Sequence, residues 1–157
     1  MRLRKLMVLF LVLGLLLTNC FVITAFAEEN PMASTSEGDA DSTGLIFTYS
    51  LSVSAGTGCI YITASTYGTE TMGKIGFQNI EVQRSSNGSS GWITELSPDN
   101  DVVKNASVHI KSGEYHPVAG GYYYRVKLDH YAKENGFWFP DSQSITNYSN
   151  VVWIPVG

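Results

Sequence analysis

Residues 118–131 read VAGGYYYRVKLDHY, and nowhere else in the 157-residue chain does a period of two run so long on such bulky side chains. Tyr122, Tyr124, Val126 and Leu128 fall on one face, and Tyr123, Arg125, Lys127 and Asp129 on the other. Such alternation is what a half-buried antiparallel strand requires, with one side in a core and the other in water. Gly120-Gly121 marks a tight turn into the strand, and Lys133-Glu134-Asn135-Gly136 marks the turn out of it. The stretch predicts a central strand around which the other segments can be ordered.

Upstream, Ile46–Ser54 (IFTYSLSVS) alternates Phe47, Tyr49, Leu51 and Val53 against Thr48, Ser50, Ser52 and Ser54. Cys59–Thr66 (CIYITAST) sets Ile60, Ile62 and Ala64 on one face, and the intervening Ala55-Gly56-Thr57-Gly58 predicts a hairpin. Ile75–Arg84 (IGFQNIEVQR) changes phase between Phe77 and Ile80. One extra residue near Gln78-Asn79, a β-bulge, returns both halves to a common inward face. A turn at Asn87-Gly88 leads into a short strand, Trp92–Leu96. Ser97-Pro98-Asp99-Asn100 then interrupts the chain, Ser107–Lys111 forms a further strand, and Asn147–Val156 closes the series. After the first thirty residues no stretch combines helical period with adequate length. About seven short strands separated by turn chemistry predict an all-β domain over residues 45–157, an antiparallel β-sandwich with immunoglobulin-like connections.

The opening MRLRKLMVLFLVLGLLLTNCFVITAFA carries Arg2, Arg4 and Lys5, then an apolar run from Leu6, then the small-x-small pattern Ala25-Phe26-Ala27. That layout predicts a secretory signal, residues 1–27, cleaved after Ala27, and hence a secreted protein that meets the membrane only in transit. Lipid attachment at Cys20 is disfavoured because Asn19 stands where a small residue is needed. Residues 28–44, EENPMASTSEGDADSTG, have almost nothing to bury and predict a disordered acidic leader. Without residues 1–27 the chain keeps 7 Lys and Arg against 14 Asp and Glu, a net charge of −7. Nucleic-acid binding, which relies on clustered cations, is excluded as an expectation by that balance. Cys59 is then the only thiol, so no internal disulfide forms, which suits export from a Gram-positive bacterium.

Two stretches carry a resemblance. Ile80–Ser86 followed by a turn and Trp92-Ile93-Thr94 resembles a hairpin of fibronectin type III-like domains, and Val118 followed by Tyr124, Val126 and Leu128 is similar to the approach to a later strand of that family, where a tyrosine closes the corner. YGTETMGKIGF, QRSSNGSSGW and GGYYYRVKLDHYA together resemble a family of small secreted proteins of Gram-positive bacteria without an assigned function. The likeness spans residues 45–156 and implies a location and a fold, and no activity.

Catalysis would need a nucleophile, a base and an orienting group. His109, His116 and His130 are the only imidazoles, and Cys59 has neither a glycine elbow nor a helix N-terminus to activate it. No Cys-x-x-Cys or His-Glu-x-x-His spacing marks a metal site, and Asp99-Asn100-Asp101 reads as a solvated turn more simply than as a calcium loop. Glu81, Glu95, Asp129 and Glu134 fall at polar strand positions or in turns. No catalytic residue, metal or cofactor is therefore expected, and the chain reads as a binding module and not an enzyme. Nine tyrosines and three tryptophans exceed what a small core needs, so some face outward. The strand phases place Gln83, Tyr123, Arg125, Lys127 and Trp153 on one outer face, a candidate surface for a protein, for a cell-wall component or for weak self-association. Phe137, Trp138 and Phe139 form an aromatic loop, either a sugar-binding platform or a plug for one end of the sandwich. A carbohydrate-binding module and a bacteriocin-like toxin are the alternative readings of the layout.

Overall fold

The computed structural model describes residues 36–39, 44–116 and 118–157. The signal, its cleavage after Ala27, and the leader apart from residues 36–39 and 44 lie outside the described residues. Eight strands make one antiparallel curled sheet, with no helix among the described residues: β1 Ser36–Asp39, β2 Ile46–Gly56, β3 Cys59–Ser85, β4 Ile93–Leu96, β5 Asp101–Tyr115, β6 Tyr122–Lys133, β7 Ser142–Tyr148 and β8 Val152–Ile154.

The organising element is β3, a single strand of 27 residues where the sequence predicted two. Tyr67–Lys74 contains no proline, and the chain stays extended there where a connection was expected. Along one edge β3 pairs first with β2 and then with β6; along the other it pairs with β5 and then with β4. The expected bulge is present: the β3–β6 register slips between Gln78 and Glu81, and Asn79 takes a left-handed φ of 50°. Asn tolerates that conformation. Its backbone N–H donates to Asn100 Oδ1 at 3.0 Å and its side chain to Asp129 Oδ2 at 2.7 Å.

β6 keeps its period of two throughout: Tyr124, Val126, Leu128, His130 and Ala132 are buried, and the residues between them are not. Tyr124, Val126 and Leu128 join Leu51, Val53, Ile60, Ala64, Phe77, Val82 and Ile154 in the main core, and Ile46, Met72, Ile75 and Ala132 form a second cluster. Phe47, expected inward with Leu51 and Val53, is exposed. A register slip between Ile46 and Thr48 turns Ile46 into the core in its place. The closing stretch is also divided, because Ser149 and Asn150 are used as side-chain connectors between β7 and β8. Ser149 Oγ accepts from the Val126 amide at 2.9 Å, while Asn150 holds the backbone of Val53 through both its oxygen, at 2.8 Å, and its nitrogen, at 2.7 Å. Gln143 Oε1 accepts from the Ile46 amide at 2.8 Å, and Ser36 donates to Asn147 Oδ1 at 2.9 Å. These side chains satisfy strand-edge groups that would otherwise remain open to other chains. Ser36–Asp39 thus forms a paired strand within the leader expected to lack order.

Candidate functional site

The outer face of β3 and β6 follows from their register. Glu81 stands opposite Lys127, Gln83 opposite Arg125, and Ser85 opposite Tyr123, with Trp153 of β8 beyond Tyr123 and Tyr148 of β7 beyond Lys127. The structure therefore brings Gln83, Tyr123, Arg125, Lys127 and Trp153 onto one face, where Gln83, expected to point outward, is itself buried. Ile154 is buried and Trp153 half-exposed, as the alternation requires.

At the centre lies Arg125. Its guanidinium carbon is 4.1 Å from the ring centre of Trp92 and 4.5 Å from that of Tyr148, and its Nε donates to Gln83 Oε1 at 2.8 Å. Partial burial pushes the Arg125 pKa down, a mark of a cation partly withdrawn from water. Gln83 passes the network on by donating to Glu81 Oε2 at 2.7 Å, and that carboxylate also receives Thr94 at 2.9 Å and Lys127 at 2.9 Å. The Lys127 ammonium is the main reason the Glu81 carboxyl lies below its ordinary range, and Glu81 in turn raises Lys127. On the other flank the Tyr123 and Trp153 rings meet at 4.7 Å. The glycine at position 88 lets the Ser85–Ser90 turn close over Tyr123, since a Cβ there would lie 2.9 Å from the ring. Cation–π contacts and aromatic pairs of this kind fix side chains that would otherwise lose rotamer freedom on binding.

Trp92 and Tyr148 were not assigned to this face from sequence. Trp92, expected to begin a strand, lies just before β4, and Tyr148 lies at the end of β7, whose phase a single closing strand conceals. The aromatic loop is separate. Phe137, Trp138 and Phe139 occupy the β6–β7 connection and are 90%, 80% and 94% exposed, so they plug nothing. Phe137 and Trp138 meet edge to face at 77°, which presents no continuous flat platform. Tyr123 begins the other end of β6, roughly 30 Å away at 3.3 Å per residue.

The remaining candidates are occupied by structural partners. The Asp101 carboxylate faces Lys111 Nζ and His109 Nε2, each at 3.2 Å, and Asn100 Oδ1 accepts from the Asn79 amide, so the Asn100 and Asp101 oxygens are turned to protein donors. His130 is fully buried, with Nδ1 2.8 Å from Thr66 Oγ1 and its ring against Tyr49 and Phe77. Burial and the neighbouring Glu114 carboxylate push the Cys59 thiol up, the reverse of what a nucleophile needs. A cavity of about 420 Å³ opens on the inner side between β3 and the β4–β5 connection, lined by Ile62, Phe77, Ile80, Val82, Leu96 and Pro98 among others. No family model, no curated protein and no solved structure matches this chain.

Proposed function

We propose that the protein is a secreted, cell-surface-associated and non-enzymatic binding module that grips a protein or cell-wall component through the outer face of β3, β4, β6 and β8. The observation that carries the proposal is Arg125, held between Trp92 and Tyr148 and oriented by Gln83 on a surface that Tyr123 and Trp153 extend. Trp, Tyr and Arg are the residues enriched at the centres of protein interfaces, and here they are already fixed, which lowers the entropy lost on association. Charges ring them in Glu81 and Lys127. Secretion is supported by the cationic, apolar and small-residue order of residues 1–27.

An immunoglobulin-like sandwich is the finer description we propose for the curled sheet. It is supported by β3 passing from a β2 partner to a β6 partner along one edge, and by Tyr124, whose hydroxyl donates to Ala119 O at 3.1 Å as a corner tyrosine would. The resemblance to small secreted Gram-positive proteins agrees with both proposals.

The test compares retention on purified cell wall, pull-down from secreted proteins, and sedimentation for the parent chain, an Arg125→Ala variant and a Tyr123→Ser, Trp153→Ser double variant. Loss of retention or association at a temperature where each variant remains folded supports the face. Lost stability with unchanged retention and association would make it part of the fold alone. The exposed aromatic loop supports a second point of contact, and Trp138→Ser alone reports on it.

A further inference from the structure

We propose that Cys59, Glu114 and His116 form a binding site for a zinc ion. The β3–β5 register pairs Tyr61 with Glu114 and ends at Ile60 with Tyr115, and His116, the next residue after β5, follows on beside Cys59, the first of β3. Residues two apart on a strand share a face, and directly opposed residues do too. Cys59, Tyr61, Glu114 and His116 therefore form a two-by-two patch on one side of the sheet, although Cys59 is separated from Glu114 by about half of the domain in sequence.

Their donor atoms lie within 4.8 Å of one another. Atoms so spaced surround a point no more than about 2.8 Å from each, whereas zinc sits about 2.3 Å from sulfur and about 2.0–2.1 Å from nitrogen or oxygen. The required contraction is under an ångström. The His116 Nε2 and Glu114 Oε1 atoms meet at 2.7 Å as an ion pair, closer than two ligands of one tetrahedral zinc stand, so these two side chains must part and turn toward Cys59 Sγ. Glu114 and His116 are exposed and can rotate, and Cys59 is buried beside Gly56, where any Cβ would collide with the sulfur. The open position at residue 56 preserves room around the thiolate.

The donor types choose the ion. One sulfur, one imidazole nitrogen and one carboxylate oxygen form a set that suits zinc, whereas calcium and magnesium take oxygen alone. Three protein ligands leave a fourth position for water. The ion would join the β2–β3 turn, where Cys59 begins β3, to the end of β5, an attachment that a chain with one thiol among its described residues cannot make there by a disulfide. On binding, the thiol proton leaves to buffer and the thiolate sulfur coordinates; no redox step is involved.

The experiment treats the secreted chain with a chelator, removes the chelator, and titrates with zinc chloride by calorimetry; cobalt(II) then reports sulfur ligation through its thiolate absorption. We expect one zinc per chain, a thiolate band with cobalt, and a melting temperature that rises with zinc. Cys59→Ser and His116→Ala should each weaken zinc at least about tenfold, and His109→Ala should leave it unchanged. His116 is exposed, so its variant decides the question even if Cys59→Ser fails to fold. Absence of zinc uptake, or uptake unaffected by His116→Ala, overturns the site.

Discussion

Acidification from neutral pH should destabilise this domain through one residue above all, His130. Its ring is fully buried, Nδ1 has Thr66 as partner, and Nε2 has no hydrogen-bond partner. A protonated ring would hold a charge in the core with one N–H unmatched. Burial accordingly lowers its pKa from 6.5 to about 4, against a small opposing pull from Asp129. The unfolded chain takes up the proton first as pH falls, so this contribution is whole above 6.5 and is lost progressively down to about 4. At about 1.4 kcal/mol per pH unit the full contribution is about 3 kcal/mol, of which about 2 kcal/mol disappears between about pH 7 and about pH 5. Glu81 and Glu114, held below their ordinary 4.5, lose their contributions beneath that window. Urea unfolding at the two pH values, on the parent and on His130→Gln, measures the difference. A parent whose stability is level across the window, or a His130→Gln variant with the same slope, refutes the assignment.

Other perturbations separate core from surface. Tyr124→Ala removes a fully buried ring and its hydrogen bond to Ala119 and should cost about 3–5 kcal/mol in urea unfolding. Tyr123→Ala loses a partly exposed ring that meets Trp153, about 1–2 kcal/mol; equal losses at the two positions would contradict the facing of β6. Gly76→Ala should cost at least about 2 kcal/mol by thermal melting, because φ is 153° and a Cβ would enter the backbone of Asp101 and Val102. Asn79→Val should cost about 1–3 kcal/mol and Asn79→Gly far less, since only the first opposes the left-handed bulge.

What the sequence determined by itself is local. Alternation on bulky residues is enough to orient Tyr124, Val126 and Leu128 inward and Tyr123, Arg125 and Lys127 outward, because a strand's side chains have no third direction. A phase change is likewise legible as a bulge, so Gln78-Asn79 could be located before any partner was known. The outer face followed from phases on several strands, each read separately. The tertiary structure alone decided what depends on register between distant segments. It kept β3 continuous through Tyr67–Lys74, where ladders to β2 and β5 at the start of the stretch and to β5 and β6 at its end hold both ends extended across a register shift between Tyr67 and Met72. Trp92 and Tyr148 were set around Arg125, whose neighbours across strands no spacing rule reveals. The Cys59, Glu114 and His116 donors were gathered by the β3–β5 ladder, whereas metal motifs readable in sequence hold their ligands a few residues apart. Period fixes the side of the sheet on which a residue stands; only the closed ladder fixes its neighbours there.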